Sequence, residues 1–203
     1  MTISSTPRRS IAAYLAGTMV RSLGMAKVDR GLRALATMSP TSARSRYLTS
    51  LPSREAFETL HTGDVIFGCL DIDGARLVLN EFALSYRKSL FVPASDIEVD
   101  TDRHYGERIA VIGPQPGCLV CMELLDIAQA QRHLEWEATR RDRARIYGVD
   151  MTDLDQVGPL VVPLNGFAVP LAVIEFMTAV TGVPSPKQAT TYRGDQGVVT
   201  VDR

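Results

Sequence analysis

The stretch Asp64–Asn80, DVIFGCLDIDGARLVLN, decides the fold class. Its first half, Val65–Leu70, is a short apolar run between Gly63 and a polar loop that carries Asp71, Asp73 and Gly74. An apolar run this short reads as a buried strand. The second half takes up a helical period, with Val78, Phe82 and Tyr86 along one stripe, and stops near Lys88. Strand, polar loop and helix in succession are the repeating unit of open α/β sheets, whose ligands bind beyond the carboxyl ends of the strands. Asp71, Asp73 and Arg76 are therefore the first candidates for chemistry.

Working outward toward the N-terminus, Ser53 caps a helix that ends at Gly63. A short strand is expected at Ser45–Thr49, and Val28–Met38 has the 3.6-residue period through Val28, Leu32 and Leu35 before Ser39-Pro40 stops it. Toward the C-terminus, Ser89–Ala94 reads as a strand, with Pro93 marking an edge or an end. Ile97–Val99 and Arg108–Ile112 read as a β-ribbon, and Gly113-Pro-Gln-Pro-Gly117 leads into Cys118-Leu-Val-Cys121. Met122–Tyr147 reads as a charged helix and Asp150–Gly158 as a polar connection. Asn165 or Val169 is the expected cap of an apolar helix over Leu171–Val180, with Pro170 in its first turn and Pro184 and Pro186 ending it. Thr190–Arg193 and Gly197–Val201 form a hairpin around Gly194-Asp195. This order predicts an α/β chain with a Rossmann-like, mainly parallel sheet and a β-ribbon and helical C-terminal lobe.

Composition narrows the function classes. The chain has 203 residues and a formal charge of −1, which offers no general attraction for nucleic acid or an anionic membrane. The basic run Arg140–Arg145 is flanked by acidic residues and reads as a solvated helix face. Three cysteines make no disulfide framework, so a reducing, cytoplasmic setting is expected. No run reaches the roughly 18 apolar residues of a membrane span. Arg8-Arg9 precedes the apolar Ile11–Val20, but Arg21 cuts that run short and Ile11, Leu15 and Met19 share one helical face, as in an amphipathic surface helix.

Each motif has two readings. A carboxylate at Asp71 could hold Mg²⁺ against nucleotide phosphates, with Arg76 pairing phosphate; equally, Asp73 could be an N-cap and Asp71–Arg76 a structural ion pair. Cys118 and Cys121 have the spacing of a metal-chelating or redox pair, with His104 or His133 as further ligands, while Cys69 reads as a small filler at the end of a buried strand. The chain has no G-x-G-x-x-G, no G-x-x-x-x-G-K-[ST] and no G-x-S-x-G.

Taken in order, DVIFGCLDIDGARLVLN, GPQPGCLVC and VVPLNGFAVPLAVIEFMTAVTG followed by TYRGDQGVVTV resemble the ThiF/MoeB/HesA superfamily, the bacterial relatives of ubiquitin-activating enzymes. The resemblance implies an adenylyltransferase domain over residues 25–203, with a Rossmann-like part at 25–95 and a C-terminal lobe at 96–203, after an N-terminal helical segment at 1–24. It implies binding of ATP and Mg²⁺, activation of the C-terminal Gly-Gly carboxylate of a ubiquitin-like or sulfur-carrier protein, and a homodimer. By resemblance, Asp71 works at the Mg²⁺·ATP site, Arg76 and Asn80 match a D-x-x-x-x-R-x-x-x-N pattern, Lys27 matches the nucleotide-binding lysine and Arg21 the phosphate-contacting arginine. Cys118 and Cys121 match half of the family's zinc site. The family's glycine-rich loop and second Cys-x-x-Cys pair have no counterpart, which leaves a truncated, inactive member as one expectation. Two further readings stay open, a non-catalytic carrier-binding or dimerisation module and a fragment of an NAD-binding Rossmann oxidoreductase.

Overall fold

The computed structural model describes residues 27–41, 43–47, 49, 51–98, 104–113, 117–135, 162–183 and 185–202. The expected Ile11–Val20 helix, Arg21, the Arg140–Arg145 run and the Asp150–Gly158 connection lie outside these residues. The chain divides into two compact units, Met1–Ser50 and Leu51–Arg203.

In the first unit, helix α1 spans Lys27–Met38, where the period placed it. The strand expected at Ser45–Thr49 is absent from the described residues there, which are irregular. The reason is Arg44, whose guanidinium donates to the carbonyls of Leu35, Ser39 and Pro40 at 2.8, 2.6 and 3.2 Å. The carbonyls at the end of a helix lack intrahelical partners, and an arginine folded back onto them holds the following chain against the helix end.

The second unit opens with α2 (Arg54–Thr62), capped as expected by Ser53, whose side chain accepts from the Ala56 N–H. Strand β1 (Val65–Phe67) then runs parallel to β2 (Ser89–Glu98), with helix α3 (Asp73–Ser85) crossing between them. Strand β3 (His104–Ile112) returns antiparallel to β2, and β4 (Ala189–Arg193) and β5 (Val198–Asp202) continue antiparallel. Among the described residues the strands form one five-stranded sheet in the order β1-β2-β3-β4-β5.

This sheet is mixed. One pair is parallel and three are antiparallel, which corrects the expectation of a mainly parallel sheet with a separate ribbon. The physical cause is the length of β2. It pairs with β1 only over Ser89–Phe91 but runs on to Glu98, and Leu90–Glu98 pairs with β3, so ribbon and sheet are continuous. Pro93 is accommodated because residues 91 and 93 point their backbone groups to the same side, and β1 has ended opposite Phe91. Strand β1 is also shorter than Val65–Leu70 and is buried at Ile66 alone, so the run read as buried is a half-exposed outer strand.

Two layers cover the sheet. On one face Leu79, Phe82 and Ala83 of α3 pack against Leu90, Val92, Ala110 and Ile112. Each of the fully buried leucine, valine, isoleucine and phenylalanine side chains contributes about 1.5–3 kcal/mol. The stripe read as Val78, Phe82 and Tyr86 is rotated, since Tyr86 is exposed while Ala75, Leu79 and Ala83 are buried. Helix α4 (Ile127–Leu134) begins at its Asp126 cap rather than at Met122, and packs on α3.

On the other face lies α5 (Val162–Thr181). Ala168 and Ala172 pack on Ile109, and Phe176 meets the rings of Phe67 and Phe91 with centroids 5.6 and 5.8 Å apart. The helix starts ahead of the expected cap, so Pro170 sits inside it rather than in its first turn. It ends at Gly182, whose φ of 70° and N–H bond to the Thr178 carbonyl form a left-handed cap. Contrary to the sequence reading, Leu164–Thr181 is long and apolar enough to cross a membrane by length and composition, a test that core helices of soluble proteins also pass.

Candidate functional site

The loop after β1 carries the first candidate, Asp71. Gly68 continues the β1–β2 pairing by donating to the Phe91 carbonyl, and the chain then turns away into α3. Asp71 is exposed in this turn, past the carboxyl end of β1, and among the described residues its carboxylate has no hydrogen bond or ion pair. Cys69, read as a buried filler, is exposed, because β1 stops at Phe67 and the chain leaves the core before reaching it.

Arg76 is not paired with Asp71. Its guanidinium donates to Asp73 Oδ1 at 2.9 Å and to the Leu70 carbonyl at 2.9 Å, while Asp73 Oδ2 accepts the Asp126 N–H at 3.2 Å. Both side chains are largely covered, at 15% and 14% exposure, so the pair is held where solvent screens it weakly. Asp73 is not the cap either; Ile72 is the capping residue, without a side-chain bond. The triad ties the loop, the first turn of α3 and the start of α4 into one rigid unit. Gly74 makes the approach of α3 to α4 possible, since a Cβ there would lie 2.6 Å from His133 Cβ.

Asn80, one turn beyond Arg76, is fully buried. Its Oδ1 accepts the Leu119 N–H at 2.9 Å and its Nδ2 donates to Glu81 Oε1 at 3.3 Å. The Cys118–Cys121 turn is thereby hung from α3, with the Cys121 N–H donating to Cys118 Sγ at 3.1 Å. Cys118 is buried and Cys121 exposed. The Cys121 thiol is pushed above its ordinary range, chiefly by its hydrogen bond with the Cys118 thiol. His133 is spent on the Gly74 N–H, 3.5 Å from its Nδ1, and His104 opens β3 opposite Glu98. Among the described residues no three His, Cys, Asp or Glu side chains gather as metal ligands. Lys27 is the first residue of α1, in the other compact unit.

One chemically charged feature was not singled out in the sequence. Glu107 on β3 is 1% exposed, and among the described residues neither carboxylate oxygen has a hydrogen-bond partner. Burial pushes its carboxyl from 4.5 up to about 7. In the sequence it stands in Gly106-Glu107-Arg108, an unremarkable charged pair at the start of an apolar strand. Only the cover provided by α5 makes it unusual. The strand alternation that puts Ile109 under α5 was the available signal, because Glu107 lies two residues earlier on the same face.

No protein-family model matches the chain, and no curated protein matches it significantly. Solved structures do. Escherichia coli MccB with ATP superposes with a TM-score of 0.57 at 13% identity, covering 89% of this chain and 48% of MccB. The microcin C7 biosynthetic enzyme MccB in complex with N-formylated MccA gives a TM-score of 0.59 at 13% identity, with 88% and 49% covered. PaaA gives 0.53 at 11% identity, with 89% and 55% covered. The chain thus spans about half the length of the proteins it resembles. At such identities the likeness is one of fold, and over 89% of its length this chain is built like part of MccB.

Proposed function

We propose that this chain carries part of a ThiF-like, ATP-dependent adenylyltransferase that activates the carboxylate of a peptide or carrier protein. The observation that carries the reading is the likeness of fold to MccB, a protein solved both with ATP and with N-formylated MccA. Asp71, exposed past the end of β1 and unpaired among the described residues, supports it, because hard carboxylate oxygen at that end of a parallel pair suits Mg²⁺ and phosphate. In the reaction a substrate carboxylate oxygen attacks the α-phosphorus of ATP, the bond to the bridging oxygen of the β-phosphate breaks, and pyrophosphate leaves with its electron pair. Asp71 would hold the metal, which would supply charge neutralisation to the phosphates. Under this reading the substrate end is a C-terminal carboxylate such as that of a Gly-Gly carrier, and the working unit is a homodimer.

The roles of Arg76 and Asn80 are better read as positioning, since both side chains are committed to bonds within the protein. That commitment also favours the second reading, a non-catalytic module that binds a carrier protein. For zinc, Cys118 and Cys121 supply two sulfurs and no third ligand stands beside them among the described residues, so a structural zinc site does not fit the residues in hand. ATP–pyrophosphate exchange with the full chain separates the readings. Exchange that Asp71→Ala lowers at least a hundredfold supports adenylation, and absence of any ATP binding by calorimetry supports the module.

A further inference from the structure

Glu107 lies at the end of the sheet where substrates are expected. Strand β1 ends opposite Phe91, and β2 continues past it, so Ser95 stands four residues further on, about 13 Å along the strand. Glu107 is the cross-strand partner of Ser95 on one side and of Tyr192 on the other. Paired residues share a face, and the packing of Ile109 on Ala168 and Ala172 shows that this face lies under α5.

The surroundings there are specific. Ser95 Oγ donates to Asn165 Oδ1 of α5 at 3.1 Å, and so has its hydrogen spent elsewhere. The Phe167 ring of α5 packs on Tyr192 with centroids 5.0 Å apart, and Phe167 is 41% exposed, so this aromatic pair opens to solvent on one side. Among the described strand residues of that face the remaining ionisable neighbour is Tyr105, paired with Ile97. The single acidic or basic residue of α5, Glu175, lies three turns away and accepts the Lys187 N–H. Among the described residues, therefore, no cation faces Glu107.

A buried carboxylate without a donor is costly, and one with two free oxygens is an acceptor fork. Aromatic faces beside it add attraction for positive charge. The guest that satisfies both is a planar or tetrahedral nitrogen cation, which supplies donors to the oxygens and rests against the rings. We propose that Glu107, beside the Tyr192–Phe167 pair, is the receptor for a guanidinium or ammonium group carried by the substrate whose carboxylate is activated. The assignment of the guest to a peptide or protein substrate rests on the proposed function; the cation site itself rests on Glu107 and its neighbours. Such a site selects substrates with a basic side chain close to the reacting C-terminus.

The test uses the full chain with two probes, N-acetyl-arginyl-glycyl-glycine and its uncharged norleucyl counterpart, in calorimetry at pH 8 and low salt. The expected result is a preference of at least threefold for the arginine peptide that disappears in Glu107→Gln. In the wild-type chain, carbon-13 NMR of the Glu107 carboxyl should show its titration midpoint falling by at least one pH unit when the arginine peptide is bound. A preference below threefold, a preference that survives Glu107→Gln, or an unmoved midpoint overturns the proposal. Pyrophosphate exchange is measured in parallel. A charge preference without exchange leaves the cation site standing and sinks adenylation, and exchange without the preference does the reverse.

Discussion

The buried Glu107 makes the stability of the fold depend on pH in a calculable way. Its carboxyl stands near 7 in the folded chain against 4.5 ordinarily, because burial disfavours the charged form. Below pH 4.5 both folded and unfolded chains hold the proton, so the group costs nothing. Between 4.5 and 7 the unfolded chain releases the proton that the folded chain keeps, and stability falls as pH rises. Above 7 the loss is complete and constant. At about 1.4 kcal/mol per pH unit this loss has an upper value of about 3 kcal/mol, and relaxation of the folded chain around the charge reduces it to about 2 kcal/mol. Other groups titrate in the same window, so the quantity to measure is the difference between wild type and Glu107→Gln. Urea unfolding at pH 5 and pH 8 should show the glutamine variant gaining about 2 kcal/mol relative to wild type on going to pH 8. In melting temperature that is about 4–8 °C for a chain of this size. A wild-type-to-variant difference that is the same at both pH values would refute the reasoning, since it would mean that Glu107 titrates as if exposed.

Two further substitutions probe the scaffold around the Asp71 loop. Asn80→Ala leaves the Leu119 N–H without its acceptor in a buried site, and should cost about 2 kcal/mol in urea unfolding. Gly74→Ala places a methyl group 2.6 Å from His133 Cβ, so α3 and α4 must separate, and a loss of about 1–3 kcal/mol with a matching fall in melting temperature is expected.

Local features were legible in the sequence wherever the cause is local. The Ser53 cap, the period of α1 and the final hairpin all arise from residues within a few positions of one another, and all stand where the sequence put them. The strand expected at Ser45–Thr49 failed because Arg44 has carbonyls of a neighbouring helix end to bind, which propensity does not see. Pro170 was placed in a first turn on steric grounds, yet α5 tolerates it in its interior. Arg76 and Asn80 were matched to a site pattern by the family resemblance, and the structure shows what their spacing serves. One helical turn apart, they reach the Asp73 carboxylate on one level and the Leu119 backbone on the next.

The sequence by itself determined that a short strand, an acidic loop and an amphipathic helix follow one another through Asp64–Asn80, because each depends on the side chains of that stretch. It left open whether Asp71 pairs with Arg76 or holds a metal. Only tertiary structure decided that β2 outruns β1 and turns the sheet antiparallel, since strand pairing is set by residues far apart in the chain. The same holds for the pairing of Arg76 with Asp73 rather than Asp71. It holds most strongly for Glu107, an ordinary strand residue in the sequence, whose lack of a partner and raised pKa arise from the packing of α5 across the sheet.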